Sequence, residues 1–146
     1  MKNINDIKYS SCHIGTMANS EKGSQAIQLG TFGELSDGSV IKAENIDEMP
    51  QVIIKHSNYL YTDSEYREEL PPTVLDKETL KHLVIFLGAS PIWKMNEILL
   101  AIALDFKSNE KYIHDYSLDD LYIEGVYMEY DEEHNTVVIE PSVGSK

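Results

Sequence analysis

The segment that decides the fold is 126–139, with the sequence VYMEYDEEHNTVVI. Its first half alternates apolar and acidic or tyrosine positions, and a β-branched run at 136–139 follows a polar stretch. Alternation with a period of two is typical of a strand that buries one face. Two such segments around a polar turn predict a hairpin with a charged tip. If Val126, Met128 and Tyr130 face the core, the open face carries Tyr127, Glu129 and Asp131.

The N-terminal part of the chain predicts further strands. Residues 25–35 alternate apolar and polar positions, and 51–61 has a β-branched centre typical of a buried strand. The pair Asp37 and Gly38 fits a hairpin turn between the first of these and a second short apolar stretch at 39–43, because glycine adopts positive φ without strain. Residues 1–24 are polar with scattered apolar positions, and we expect an edge strand or a loosely ordered N-terminal arm.

The middle of the chain predicts a pair of helices. Asp76 is placed to cap a helix with apolar residues at helical spacing, and Gly88 is placed to end it. Ser90, followed by Pro91, has the form of a second helix start. The apolar run at 98–106 fits either the rest of that helix or a buried strand, and periodicity alone leaves both open.

Together these elements predict an α+β fold in a single globular domain, 1–146. Early strands, a helical middle and a closing hairpin favour an antiparallel sheet, made of N-terminal strands and the C-terminal hairpin, with a central pair of helices. The length of 146 residues fits one domain. One further helical turn is expected at 118–122, because Ser117 and Asp120 resemble a capping box, and Gly125 is placed to end that turn.

The compartment follows from hydropathy and cysteine content. The first 15 residues lack the apolar stretch of a signal peptide, and the run 98–104 is too short to cross a bilayer. Cys12 is the one cysteine of the sequence, so no internal disulfide can form. We therefore expect a cytoplasmic protein without membrane association.

Charge is distributed unevenly along the chain. The net charge is −13, with 25 acidic against 12 basic side chains, and residues 112–144 carry nine carboxylates, five tyrosines and no lysine or arginine. Nucleic-acid backbones are bound by cations, so this surface argues against direct DNA or RNA binding. It attracts basic proteins instead, although the same charge also keeps a protein soluble.

Motifs for catalysis and cofactor binding are missing from the sequence. The glycines at 30 and 33 lack the lysine and helix start of a phosphate loop, and no G-x-S-x-G, H-E-x-x-H or C-x-x-C occurs. The acidic tip at 131–134 lacks the oxygen spacing of a calcium loop. We expect no enzyme activity, no metal and no cofactor. One short motif suggests an alternative. Asp105-Phe106-Lys107 resembles the D-x-K element of metal-dependent nucleases, which gives the hypothesis of a metal-dependent hydrolase.

Tyrosines and carboxylates occur together in two stretches, 59–69 and 112–133, which hold eight of the nine tyrosines. A tyrosine ring has a large apolar body and a polar tip, and it loses little entropy on immobilisation, so it anchors many protein interfaces. We therefore predict a partner-binding surface formed by Tyr59, Tyr61, Asp119, Asp120, Tyr122, Glu124, Tyr127, Glu129, Asp131, Glu132 and Glu133.

In size, sign of charge and lack of active-site chemistry the chain resembles bacterial immunity proteins. That resemblance implies an inhibitor of the immunity or antitoxin type, whose carboxylates replace substrate phosphates in the cationic cleft of a basic, nuclease-like toxin. The alternative is an interaction or assembly module, such as a phage or accessory protein, that acts through an apolar patch near Trp93. The sequence does not identify the partner and does not indicate a homo-oligomer.

Overall fold

The structure is a computed structural model that describes residues 13–19, 31–56 and 58–145. Its helices are α1 (Ile14–Ala18), α2 (Lys77–Leu83) and α3 (Met95–Ser108). Its strands are β1 (Thr31–Phe32), β2 (Gln51–Ile54), β3 (Thr73–Val74), β4 (Val84–Leu87), β5 (Ser90–Lys94), β6 (Leu121–Asp131) and β7 (Thr136–Ser145). Short 3₁₀ turns lie at Ile46–Glu48, Glu110–Tyr112 and Leu118–Asp120. The predicted α+β fold is confirmed.

The strands form two sheets, where we expected one antiparallel sheet. The smaller sheet has the order β1-β5-β4 and is antiparallel, and the larger has the order β3-β2-β7-β6. In the larger sheet β2 and β7 run parallel, whereas the other pairs are antiparallel. Parallel strands need a long crossover, and here the whole middle of the chain connects β2 to β7. A pairing over that distance leaves no local signal in the sequence.

The C-terminal hairpin forms as predicted and is longer than expected. Strands β6 and β7 pair from Leu121 opposite Ser145 to Asp131 opposite Thr136. Val126 and Met128 are buried, which confirms the predicted alternation. The register shifts between Ile123 and Gly125, so this glycine lies in a β-bulge within the strand and does not end a turn.

The first central helix begins where predicted but ends earlier. Asp76 caps α2, because its Oδ1 accepts a hydrogen bond of 2.7 Å from the Thr79 amide. The helix ends at Leu83, and the β-branched and aromatic residues that follow form the β4–β5 hairpin. Gly88, with φ of +62°, lies in the hairpin turn where positive φ is needed.

The second central helix begins later than predicted. Ser90 and Pro91 open strand β5, because Trp93 pairs across from Val84 and both side chains are buried. Helix α3 begins at Met95 and runs through 98–106, which settles the open alternative in favour of a helix.

The N-terminal region is described in part. Residues 13–19 contain α1, whose Ile14 and Met17 are buried in the core; over 1–24 we had expected an edge strand or a loosely ordered arm. The rest of the predicted arm and residues 25–30 of the predicted strand lie outside the described residues; of the remainder, Thr31–Phe32 form β1 and 33–35 are not a strand. The turn at Gly38 forms, with φ of +84° and a 2.9 Å hydrogen bond from its amide to the Leu35 carbonyl, but 39–43 is not a strand.

One hydrophobic core joins the two sheets and the helices. The inner face of the larger sheet supplies Val52, Ile54, Val137, Ile139 and Met128, and α3 supplies Ile98, Leu99, Ile102, Ala103 and Phe106. The other face of the larger sheet points away from this core. Within the described ranges, no helix has the length and apolar character needed to cross a membrane.

Candidate functional site

The outward residues of β6 lie along the open side of the larger sheet. They alternate with buried neighbours along the strand. The bulge between Ile123 and Gly125 inserts one extra residue, and the buried residues before and after it face the same side of the sheet. At the centre of the open side, 51% of Tyr127 is exposed. The outward set is Tyr122, Glu124, Tyr127, Glu129 and Asp131. All five were predicted as partner-binding residues.

The neighbouring strands add residues to this side of the sheet. Glu140 of β7 lies opposite Tyr127, and Val138 lies opposite Glu129 and beside Ile53 of β2. Residues directly opposite one another in a ladder share a face, so their side chains are neighbours. Beyond β2, the Nζ of Lys55 lies 3.6 Å from Oε1 of Glu140.

The segment 69–72 borders the sheet and turns this side into a groove. Two adjoining hollows of about 540 and 670 Å³ are lined in common by Lys55, His56, Glu69, Glu129 and Glu140. The floor of the first hollow is apolar, with Ile53 and Val138, and its wall carries Leu70 and Pro72. We call the five outward residues of β6, together with Glu140, Glu69 and this groove, the acidic face.

The charge of the acidic face is strongly negative. Carboxylates at Glu69, Glu129, Asp131 and Glu140 line it, against Lys55 and the ring of His56. A hydrogen bond from His134 holds the pKa of Asp131 below its usual value, so this carboxylate is ionised at neutral pH. A concave surface of one sign focuses the field and attracts ions of the opposite sign. The acidic face is therefore suited to a cationic partner with an apolar component.

Two predicted tyrosines lie at the far end of the same sheet. Tyr122 faces outward, and the charge of Glu124 raises the pKa of its phenol. Tyr59 is half-buried, packs edge-on against Tyr116 at 5.2 Å between ring centroids, and donates a 3.4 Å hydrogen bond to Ser145.

Tyr61, also predicted to bind a partner, lies in a buried position that does not favour contact with one. It is 3% exposed, and its ring stacks on His114 with 4.4 Å between centroids. Its hydroxyl donates a 3.0 Å hydrogen bond to Asp115, and the guanidinium of Arg67 lies 5.3 Å from the ring centroid. Local alternation could not reveal this, because the residues around Tyr61 come from a distant part of the chain.

The remaining predicted carboxylates lie at the two ends of the sheet and do not line the groove. Asp120 closes the predicted capping box, accepting hydrogen bonds of 2.9 and 3.2 Å from the Ser117 hydroxyl and amide. Asp119 lies against Gly15 of α1. Glu132 and Glu133 are exposed on the β6–β7 turn next to Asp131.

The hairpin tip brings three potential metal ligands together. Ligand atoms of Asp131, Glu133 and His134 lie within 4.8 Å of one another. The two latter side chains are exposed, and His134 Nδ1 lies 2.7 Å from Asp131 Oδ2. This contact is a hydrogen bond across a turn, and exposed carboxylates need no metal to be stable.

Asp105 and Lys107 do not converge in the way a metal-dependent hydrolase requires. Residues two apart on a helix do not face each other. Asp105 is buried, whereas Lys107 points outward, with its Nζ 3.3 Å from Glu110. The D-x-K hypothesis therefore has no geometric support in α3.

Asp105 instead forms a buried pair with His56, which sequence reasoning missed. His56 Nε2 lies 2.8 Å from Asp105 Oδ2 and 3.1 Å from Thr73 Oγ1, and Nδ1 lies 3.4 Å from the Leu70 carbonyl. Burial opposes a charge on the ring, but the hydrogen bond and charge of Asp105 outweigh it and raise the pKa of His56 above 6.5. In a nucleophile–base–acid triad the carboxylate and hydroxyl bind different ring nitrogens. Here both lie at Nε2, so the group is not a triad.

Trp93 cannot form the apolar patch predicted near it. It is 1% exposed and belongs to the core, because strand β5 directs it inward. Exposed apolar side chains on the same hairpin are Ile85 and Leu87 of β4.

Comparison with protein-family models, with curated proteins and with solved structures finds no match to this chain. The candidate site therefore rests on geometry. Of its residues, the sequence had not singled out Glu140, Glu69, Lys55 or His56. Glu140 could have been found from the hairpin register opposite Tyr127. Lys55 and His56 reach the site through the parallel pairing of β2 with β7, and Glu69 reaches it through the segment 69–72 that borders the sheet.

Proposed function

We propose that the chain binds a basic protein through its acidic face and inhibits it by covering its cationic cleft. The partner class is a nuclease-like toxin, and the chain acts as an immunity or antitoxin-type protein in the cytoplasm. The observation that supports this most is the outward row of β6, in which Tyr127, Glu129 and Asp131 line the groove together with Glu140 and Glu69.

The composition of the face favours a protein partner. Interface anchors are aromatic side chains that meet a desolvated apolar surface inside a polar rim. Tyr127 is an exposed aromatic at the centre of the face, Ile53 and Val138 give the groove an apolar floor, and the carboxylates surround them. This arrangement fits the aliphatic stem and charged end of a lysine or arginine side chain.

The sign of the charge favours a partner that itself binds phosphates. Carboxylates accept the same charge-assisted hydrogen bonds from arginine and lysine as phosphate oxygens do. Glu129 and Asp131 point the same way from one rigid strand, so a cleft built for a phosphate backbone can engage both at once. Occlusion of that cleft blocks the enzyme without any chemistry on the inhibitor.

The test combines capture with inhibition. The immobilised chain is exposed at low salt to lysate of its own organism, and basic proteins that elute as salt rises are purified and assayed for nuclease activity with and without the chain. We expect a basic nuclease whose activity falls in proportion to added chain. A charge-reversed chain, Glu129→Lys with Asp131→Lys, should neither capture nor inhibit it.

The matched control is Glu78→Lys with Glu97→Lys, which changes the net charge equally but in α2 and α3. This control should capture and inhibit as the unaltered chain does. Equal loss in both double variants would show that net charge alone attracts the protein, and inhibition that survives reversal of the acidic face would refute the proposal.

A further inference from the structure

The His56–Asp105 pair joins three parts of the molecule at the edge of the groove. His56 follows β2, Asp105 lies on the buried face of α3, and the hydroxyl of Thr73 lies at the start of β3. The two charged side chains are only 2% and 5% exposed. Removing two charges from water is costly, so a pair buried this deeply must be held by its hydrogen bonds.

Both ring nitrogens of His56 face hydrogen-bond acceptors. Nε2 faces the Asp105 carboxylate and, at 3.1 Å, the Thr73 hydroxyl, and Nδ1 faces the Leu70 carbonyl. A neutral imidazole has one N–H donor, whereas the imidazolium has two. Both contacts are hydrogen bonds only when the ring is protonated, in agreement with the raised pKa of His56.

Loss of the proton affects the two contacts unequally. The contact to Asp105 is shorter and charge-assisted, so the neutral ring keeps its proton on Nε2. Nδ1 then presents a lone pair to the Leu70 carbonyl, and the two acceptors repel each other. The contact that is lost is the one to the groove wall, because Leu70, Glu69 and Pro72 line the first hollow.

We propose that His56 is a protonation-dependent latch for the groove wall, so that the acidic face holds a basic partner more weakly once the ring is neutral. This inference rests on the proposed function, because it regulates the same face. The groups that face His56 and the groove are Asp105 of α3, Lys55 after β2, Glu69 of the wall, Glu129 and Asp131 of β6, and Glu140 of β7. His134 is hydrogen-bonded to Asp131 of the same face, so a His134 variant is included below to separate its effect from that of His56.

The first part of the test uses the chain alone. Long-range proton–nitrogen NMR of the imidazoles from about pH 5 to about pH 9 covers the range in which histidine changes charge. We expect His56 to have two protonated nitrogens at the acidic end and one, Nε2, at the basic end. Amide hydrogen exchange of Glu69 and Leu70 should accelerate over the same step, after correction for the intrinsic pH dependence of exchange. The amide of Leu75, bonded to Val52 at 2.9 Å within the sheet, is the internal control and should not respond.

The second part measures binding of an end-capped oligoarginine peptide, whose guanidinium groups stay charged throughout. We expect affinity to fall roughly tenfold as the His56 ring is neutralised, the ratio that corresponds to one unit of pKa change on binding. His56→Gln should bind with no such step. His134→Gln, which alters an exposed histidine paired with Asp131, should retain it.

The two parts separate the latch from the proposed function. Binding that is equally tight at both ends of the range would overturn the latch and leave the proposed function standing, as would a neutral His56 ring at the acidic end. Wall amides that respond to pH in a chain that binds no oligoarginine at any pH would overturn the proposed function instead.

Discussion

The two faces of the larger sheet are built from alternate residues of the same strands, yet they differ in burial and in charge. On the inner face Met128, Val137 and Ile139 are fully buried. On the outer face their chain neighbours Tyr127, Glu129 and Glu140 are exposed and mostly charged. Successive side chains of a strand point to opposite sides, so one segment supplies both the buried inner face and the exposed acidic face. The two faces can therefore be altered separately by the choice of inward or outward positions, whose parity changes at the bulge of β6.

The largest effect on stability should come from breaking the buried pair of His56 and Asp105 at the edge of the inner face. Asp105→Ala leaves His56 without its partner, and removal of one member of a buried ion pair costs about 3–5 kcal/mol. Urea unfolding followed by circular dichroism measures this loss. Lys107→Ala on the outward side of the same helix is the control and should change stability by less than about 1 kcal/mol. Equal effects from the two variants would show that the pair is not a stabilising element.

The next effect compares two neighbours in β7. Ile139→Ala removes a fully buried side chain and should lower the free energy of unfolding by about 3 kcal/mol. Glu140→Ala removes a half-exposed ion pair with Lys55 and should cost less than about 1 kcal/mol. The same unfolding experiment checks both, and a cost at Glu140 that matches the cost at Ile139 would contradict the division between faces.

The pH dependence of stability gives a smaller effect with a defined sign. The pKa of His56 is higher in the folded than in the unfolded chain, so its stabilisation is complete below the unfolded value of 6.5 and is lost as pH rises through the folded value. We expect the urea midpoint to fall over that range in the wild-type chain. The fall should be smaller in His56→Gln. A urea midpoint that rises with pH over that range would contradict a folded-state pKa of His56 above the unfolded value.

The smallest effect on stability should come from Tyr127, although its effect on binding should be large. Tyr127→Ala alters an exposed side chain and should change the free energy of unfolding by less than about 0.5 kcal/mol. As an aromatic anchor at the centre of an interface it should contribute about 2 kcal/mol to partner binding. Thermal unfolding and calorimetric titration with the captured nuclease measure the two quantities. A variant that unfolds like the wild type and also binds like it would remove Tyr127 from the interface.

Local patterns predicted the hairpin and its faces, because alternation over 126–131 is a property of neighbouring residues. The same holds for the Asp76 cap and the Ser117–Asp120 capping box, which need only three residues of context. Local reading was wrong at Gly88 and Ser90. A glycine after apolar residues and a Ser-Pro pair fit helix ends as well as a hairpin, and the pairing of Val84 with Trp93 decided between them.

What the sequence could not predict depends on contacts between distant segments. The parallel pairing of β2 with β7 brings Lys55 beside Glu140, and the packing of α3 brings Asp105 to His56. Tyr61 and Trp93 were assigned to a surface because aromatic residues suit interfaces and cores alike. Only the surrounding side chains distinguish the two cases, and these come from other parts of the chain.

The central claim, that the acidic face captures a basic partner, is tested most directly by association kinetics at several salt concentrations. The captured nuclease is mixed in a stopped-flow instrument with the wild-type chain, with Glu129→Lys/Asp131→Lys, and with Glu78→Lys/Glu97→Lys. Because rim charges act on the rate of encounter, we expect reversal of the acidic face to slow association by at least about tenfold at low salt and to flatten its salt dependence. The helix variant should retain most of the wild-type rate. Equal rates for the wild type and the acidic-face variant would contradict the claim.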